Sequence, residues 1–308
     1  MATTTPDRVS GEFVRDIEPF RRELVAHCYR MLGSLHDAED VVQETYLRAW
    51  RSYGQFEHRS SVRTWLHRIA TNACLTALQH GGRRVLPYEL GGPSDDPHTV
   101  PVAEPNVAWL EPIPDPEAVV SSRESMRLAL IATLQHLPAQ QRAILLLRDV
   151  LAFPAAEVAT MLGTTVAAVK SALQRARATI KNAAPVPDEI TEPRAPRARE
   201  LLKQYIAAFE NADAAMLERA LRHDAALEMV GSRTWFAGRA TCMPYIATYV
   251  LGAPGDRRMV PIIANGQPAA VAYHRGEPFG IAVLTVTRSG ISRIVVFGDA
   301  GLVAKFSP

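Results

Sequence analysis

The stretch "AAEVATMLGTTVAAVKSALQRARATI", residues 155–180, decides how the chain is read. Gly163 interrupts an apolar periodicity, and Thr165 stands where a hydroxyl caps a second helix. In that helix Val166, Val169, Leu173, Ala176 and Ile180 recur at helical offsets and form an inward stripe. Lys170, Gln174, Arg177 and Lys181 fall on the opposite stripe, with Ser171 and Arg175 beside it and no acid among them. Bases, an amide and hydroxyls on one exposed face are the side chains that read base edges and hold phosphates in a major groove. An amphipathic helix with a basic solvent face is the competing explanation; the turn and cap ahead of it favour a DNA-reading helix-turn-helix.

The whole chain of 308 residues carries a formal charge of only +2, so the question is where its charges lie. Residues 58–84 hold five Arg, three His and no acid. Residues 85–122 hold seven acids and eight Pro with no Lys or Arg, so basic helices flank an acidic segment. That segment, "LPYELGGPSDDPHTVPVAEPNVAWLEPIPDPE", cannot sustain a helix because Pro removes donors and restricts its predecessor. A second Pro-rich break, "APVPDEITEPRAP", spans 184–196. The expected organisation is therefore a helical domain over 1–84, an acidic linker over 85–121, a second helical domain over 122–184, a linker over 185–196 and a C-terminal domain over 197–308.

No apolar run reaches the roughly 18 residues of a membrane span, and "MATTTPDRVSGEF" has no signal-peptide core; a cytoplasmic protein without membrane contact is expected. Cys28, Cys74 and Cys242 lie scattered among apolar neighbours and read as core residues, so no metal or cofactor is expected.

In the N-terminal domain Phe13, Ile17, Phe20, Leu24, Cys28 and Met31 form one helical stripe that Gly33 ends. The next helix, "HDAEDVVQETYLRAW", turns Val42, Tyr46, Ala49 and Tyr53 inward and gathers Asp37, Asp40 and Glu44 on another face. Those acids suit a solvated helix start or a docking surface for a basic partner, and charge alone does not choose. A third helix, "SSVRTWLHRIATNACLTALQH", opens on a Ser pair able to cap it and buries Val62, Trp65, Leu66, Ile69 and Ala73. Arg59, Arg63, His67 and Asn72 are left for a polyanion.

Together, "HDAEDVVQETYLRAW" with "FEHRSSVRTWLHRIATNACLTAL" resembles region two of the extracytoplasmic-function group of the sigma-70 family, and "LPAQQRAILLLRDV" with "VAAVKSALQRARATI" resembles its region four. The resemblance implies two all-α domains that bind core RNA polymerase and promoter DNA and direct transcription initiation. It implies that Asp37, Asp40, Gln43 and Glu44 meet the clamp helices of the polymerase largest subunit. It places Arg59, Ser60, Ser61, Arg63 and Asn72 at the melted minus-ten element and its flipped-base pocket, with Trp65 in the core. Thr165, Lys170, Ser171, Gln174, Arg175 and Arg177 then read the minus-thirty-five element, while region four sits on the beta-subunit flap. Pro154 departs from relatives that carry a capping Ser there. The acidic linker is expected to follow the path of nascent RNA as a polyanion mimic.

Beyond residue 197 the pattern gives two helices, a strand, and then strand-like runs in "RRMVPIIANG", "PAAVAYHR" and "FGIAVLTVTRSGISRIVVFGD", the last a hairpin turned at Ser289–Gly290. This resembles the α+β cone of SnoaL-like domains in the nuclear-transport-factor-two superfamily, and "WLEPIPD" resembles a signature of sigma factors with such a tail. Enzymes on that fold use a carboxylate or an Asp/His pair, for which His223, Asp224 and Asp299 are the candidates, with Trp235, Phe236, Tyr245 and Phe297 as pocket aromatics or core. The preferred reading is not an enzyme but a regulator in cis, with room for a small-molecule ligand. A DNA-tethered cyclase or isomerase is one alternative. A plain helix-turn-helix repressor is another, which leaves the acidic face and the Arg-rich third helix without a role.

Overall fold

Helix Arg21–Leu32 (α1) ends because Gly33 takes the left-handed conformation (φ 73°) and donates its N–H to Tyr29 O at 2.7 Å. The computed structural model describes residues 13–57, 60–114, 126–183 and 190–306. Ser34 and Ser61 cap the next two helices, Leu35–Ser52 (α2) and Val62–His80 (α3), by accepting from Asp37 N at 3.1 Å and Thr64 N at 3.0 Å. Leu24, Cys28, Met31, Ala38, Val42, Leu66, Ala70 and Cys74 form the buried seam of α1–α3.

Among the described residues four further helices follow: Leu128–Gln135 (α4), Ala139–Leu145 (α5), Ala155–Met161 (α6) and Val166–Ala183 (α7). A π-helical turn at Leu146–Val150 extends α5. Ile144, Leu147, Phe153, Val158, Val169 and Leu173 make a core shared by α5, the π-turn, α6 and α7. Thr165 caps α7, accepting from Ala168 N at 3.1 Å. Val166 departs from the expected inward stripe: as the first helical residue it precedes the turn that packs, and it stays 39% exposed while Ala172 joins the core.

The chain divides into two compact units, the first made of Met1–Arg83 and Pro116–Ala184. Within it α4 and α5 pack on α1, and α5 also packs on α3. The joint is Arg142, 4% exposed. Its guanidinium donates to Met31 O, to Gln135 Oε1 at 2.6 Å, to Gln135 O at 3.0 Å and to Leu137 O at 3.2 Å. Burial lowers its pKa to about 10, so it remains charged at neutral pH.

The second unit comprises Arg84–Asp115 and Pro185–Pro308. Helices Pro196–Glu210 (α8) and Ala214–Ala220 (α9) lead into β1 (Leu221–Val230), β2 (Trp235–Ala237) and a helix, Arg239–Tyr245 (α10), with a π-turn over Ile246–Val250. Strands Arg257–Ala264 (β3), Gln267–His274 (β4), Glu277–Thr287 (β5) and Gly290–Phe297 (β6) and helix Ala300–Phe306 (α11) complete it. The sheet runs β2-β1-β6-β5-β4-β3, with β1 and β6 parallel and the other neighbours antiparallel. In the last hairpin Thr287 pairs with Gly290, so the turn residues are Arg288 and Ser289, one position earlier than expected. Gly280 leaves room for the Phe297 carbonyl of β6, since a Cβ there would lie 2.0 Å from Phe297 O.

Residues 84–114 are docked on this unit as a strap. Val85, Leu86, Leu110 and Ile113 are buried, and isolated bridges tie Ser94 to Phe236, Ala103 to Ser232 and Pro114 to Ala264. Ser94 N donates to Trp235 O, Trp235 Nε1 to Gly91 O, and Glu104 N to Gly231 O, at 2.8–2.9 Å. Glu228, fully buried on β1, accepts from Tyr88 N at 3.2 Å and from Arg293, while burial raises its carboxyl pKa. The acids expected to face a polymerase channel are partly engaged here: Glu104 pairs with Arg233 at 2.5 Å, and Glu111 lies 3.8 Å from Arg84. Asp115 and Glu117 lie outside the described residues.

Candidate nucleic-acid interface

The C-terminal end of α2, the turn after it and one face of α3 enclose a groove of about 500 Å³. Its walls come from Arg48, Ser52, Gln55, Phe56, Glu57, Ser60, Trp65, Arg68, Ile69 and Asn72. Trp65, only 5% exposed, is among the lining residues, and its ring stacks on Phe56 with centroids 4.6 Å apart. Arg68 and Asn72 stand one helical turn apart on the exposed side of α3. Among the described residues, Gln55, Arg68 and Asn72 make no side-chain hydrogen bond within the protein, so their donors point into solvent at an aromatic floor. An aromatic platform rimmed by free amide and guanidinium donors suits an unstacked base and its phosphate.

Asn72 and Ser60 of the expected minus-ten set therefore line the groove, and Arg59 lies outside the described residues. Ser61 is spent as the α3 cap, and its hydroxyl also meets Thr64 Oγ1 at 2.8 Å. Arg63 points elsewhere: it binds Glu23 at 2.6–2.7 Å, donates to Leu151 O at 3.1 Å and lies 4.4 Å from the centre of the Phe153 ring. Thr64 likewise donates to Glu157 at 3.1 Å. His67 is a correction, because it is fully buried instead of facing a polyanion. Its Nδ1 meets Arg63 O at 2.9 Å, its Nε2 lies 3.3 Å from Glu23, and its ring packs beside His27 and Phe153. The α3 face assigned to solvent is thus partly covered by chain some 85 residues further on, which spacing within one helix cannot reveal.

Arg48, Ser52, Gln55, Phe56 and Arg68 were not singled out from sequence. Arg68 had a usable signal, its placement four residues before Asn72 on an acid-free helix. The loop residues had none.

The acidic face of α2 is present on the surface. Asp40 lies 3.6 Å from His36, Glu44 accepts from Arg48 Nε at 2.7 Å, Gln43 is exposed, and Asp37 is half-buried beside the Ser34 cap. On α7, Lys170, Ser171, Gln174, Arg175 and Arg177 are exposed. Arg175 donates to Ser171 Oγ at 2.6 Å, and Arg177 makes a two-pronged pair with Asp149 at 2.7 and 2.8 Å. Lys170 and Gln174 make no bond within the described residues, so α7 presents three committed and two uncommitted polar side chains along one face.

Burial makes His67 a titration liability. Desolvation lowers its pKa to about 4, and burial beside His67 and Arg30 lowers His27 as well. The unfolded chain, with imidazoles near 6.5, binds protons first, so stability is full above that value and falls as pH drops toward 4. His67 alone should remove about 2 kcal/mol from the opening free energy of α3 between pH 7 and pH 5. Hydrogen exchange of the α3 amides in wild type and His67→Gln measures this; equal pH slopes in the two proteins would refute it.

In the C-terminal unit the three acid–base candidates are exposed. Asp224 is paired with Arg222 at 2.7 and 2.8 Å, which lowers its pKa, and Asp299 accepts from Gly301 N at 2.8 Å. Phe236 and Phe297 are core, at 0% and 2% exposure. Among the described residues no group of three or more His, Cys, Asp or Glu is placed to hold a metal ion. No described helix is long and apolar enough to cross a membrane.

The sigma-70 region 2 model matches residues 17–84, and the sigma-70 region 4 model matches residues 127–180. The chain is 48% identical over 313 aligned residues to the ECF RNA polymerase sigma factor SigG of Mycobacterium tuberculosis, covering 97% of this chain and 85% of that protein. It is 34% identical over 164 residues to SigJ, another ECF RNA polymerase sigma factor of that organism, covering 53% of this chain and 48% of that protein. The crystal structure of SigJ superposes with a TM-score of 0.63 at 21% identity, covering 95% of this chain and 99% of that one, a likeness of fold.

Proposed function

Because the chain belongs to the extracytoplasmic-function sigma factors of the sigma-70 family, promoter-specificity subunits of RNA polymerase, we propose how its residues divide that work. Asp37, Asp40, Gln43 and Glu44 on α2 dock on the basic clamp helices of the polymerase largest subunit. The groove beside them captures a flipped base of the melted minus-ten strand, with Phe56 and Trp65 as its floor and Ser60, Arg68 and Asn72 as its polar rim. Lys170, Ser171, Gln174 and Arg175 on α7 read the minus-thirty-five element, held at its N-terminus by the Thr165 cap. Arg177 acts by fixing the α5–α7 geometry through Asp149.

The groove is the observation that carries this reading, since its free donors surround an aromatic platform inside the region 2 match. Arg63 and Thr64 reach DNA only after α3 parts from Leu151, Phe153 and Glu157. Nothing in the C-terminal unit's acid–base candidates favours catalysis, and its grip on residues 84–114 favours regulation in cis: the strap is withheld from the polymerase channel while it is docked.

Reconstitution with core RNA polymerase tests both parts. The full chain should give a promoter-dependent run-off transcript, and residues 1–184, freed of the dock, should give at least as much. A shorter chain that binds core yet transcribes less than the full chain would overturn the withholding role. No transcript from either would sink the promoter-reading assignment.

A further inference from the structure

The C-terminal unit contains a cavity of 230 Å³ between α8, the sheet and the π-turn at Ile246–Val250. Tyr205, Phe209, Met229, Met259, Ile281 and Val296 make its walls apolar. At a share of about 30 Å³ per water, the space is roughly eight waters, too large for a packing defect and suited to a small organic molecule. Among the described lining residues no side chain is a carboxylate or an imidazole, so the wall offers no acid–base pair for turnover.

It does offer one cation. The guanidinium of Arg257 donates to Val250 O at 2.9 Å and lies 5.0 Å from the centre of the Phe279 ring, and its Nε is buried with no hydrogen-bond partner. Asp256, next in sequence, is committed to Arg275 at 3.1 and 3.4 Å. A partly buried guanidinium on an apolar wall, with no carboxylate bonded to it, is costly unless an anion completes it. The wall is also connected to the strap: Tyr249, on the π-turn, bonds His98 Nδ1 through its hydroxyl at 3.1 Å.

We propose that this cavity binds a small apolar carboxylic acid, its hydrocarbon body among the aromatic and aliphatic walls and its carboxylate on Arg257, and that occupancy tightens the strap through Tyr249 and His98. The second half rests on the strap's regulatory role proposed above; the first half stands on the cavity alone. A bound body buttresses the π-turn, and the Tyr249–His98 bond transmits that order to residues 94–99.

Calorimetry on the full-length chain with 1-naphthoate, and with 1-naphthalenemethanol as its uncharged counterpart, tests the anchor without recourse to transcription. The acid should bind at least about tenfold more tightly than the alcohol, the worth of one charge-assisted contact. Arg257→Met should erase that preference while still binding the alcohol, which shows the cavity intact, and Arg257→Lys should restore part of it. Hydrogen exchange at Ser94 and Thr99 should slow when naphthoate is added. Equal affinity of acid and alcohol in the wild-type chain, or no binding of either, overturns the anchor whatever the variants do. An acid preference retained by Arg257→Met overturns it equally. Tight acid binding with unchanged exchange overturns the coupling to the strap.

Discussion

Replacing Lys170 and Arg175 together by alanine is expected to lower promoter-dependent run-off transcription about 100-fold, since removing a side chain that binds a base edge or a phosphate costs about 1–3 kcal/mol and 1.4 kcal/mol is tenfold. Both side chains are exposed on α7, and neither supports its core, which is built from Val169, Ala172, Leu173 and Ala176. The helix should therefore survive the change. Binding to core polymerase should be unaffected, because the acidic face of α2 is untouched. Arg199→Ala, an exposed arginine on α8, serves as the charge control and should leave output unchanged. The comparison is made at fixed salt, because phosphate contacts weaken steeply as counterions are added. Wild-type transcription from the double variant would mean that α7 is not the reading helix and would move the search to α6.

The largest stability effect is expected at Arg142. Its carbonyl partners fall at the ends of α1 and α4, where backbone acceptors run out of intrahelical donors. One guanidinium thus caps two helix C-termini and meets the negative ends of both dipoles. Arg142→Ala should destabilise the unit containing α1–α7 by about 4 kcal/mol, combining unpaired buried carbonyls with a cavity. Arg142→Met fills the volume and should recover part of that loss, leaving only the unmet acceptors. Urea unfolding followed by exchange at α1 and α4 amides provides the measurement. A loss below about 1 kcal/mol would mean that desolvating the guanidinium costs nearly as much as its bonds return.

Local signals were legible in the sequence wherever a residue's partner lay within a turn or two. Gly33, Ser61, Gly163 and Thr165 punctuate helices through bonds to neighbours three or four residues away, so the helix-turn-helix and the three N-terminal helices could be placed directly. The long strands β3–β6 showed as apolar, Val- and Ile-rich runs between turn residues. What escaped depends on distant chain. His67 and Arg63 look like surface residues of α3 until Leu151 and Phe153 arrive to cover them. The strap escaped for a different reason: each of its bridges is isolated, and its buried residues sit between prolines without a period. Glu228 left only a faint trace, an acid at a fully buried position of β1 that Arg293 and the Tyr88 amide satisfy from elsewhere. The groove's rim on α3 was half visible, through Asn72, whereas its loop contributors could be found only once the chain was folded.

The parallel pairing of β1 with β6 sets an order of events during synthesis. The ribosome delivers the region 2 helices, then the strap, then the region 4 helices, and β6 only near residue 297. Until then β1 lacks its central neighbour, and Arg293, the partner of Glu228, does not yet exist. Each nascent chain therefore passes through a period in which its DNA-reading helices are complete and its strap has nothing to dock on. The finished dock for the strap is the last feature the chain completes, and a stalled or prematurely ended chain never completes it.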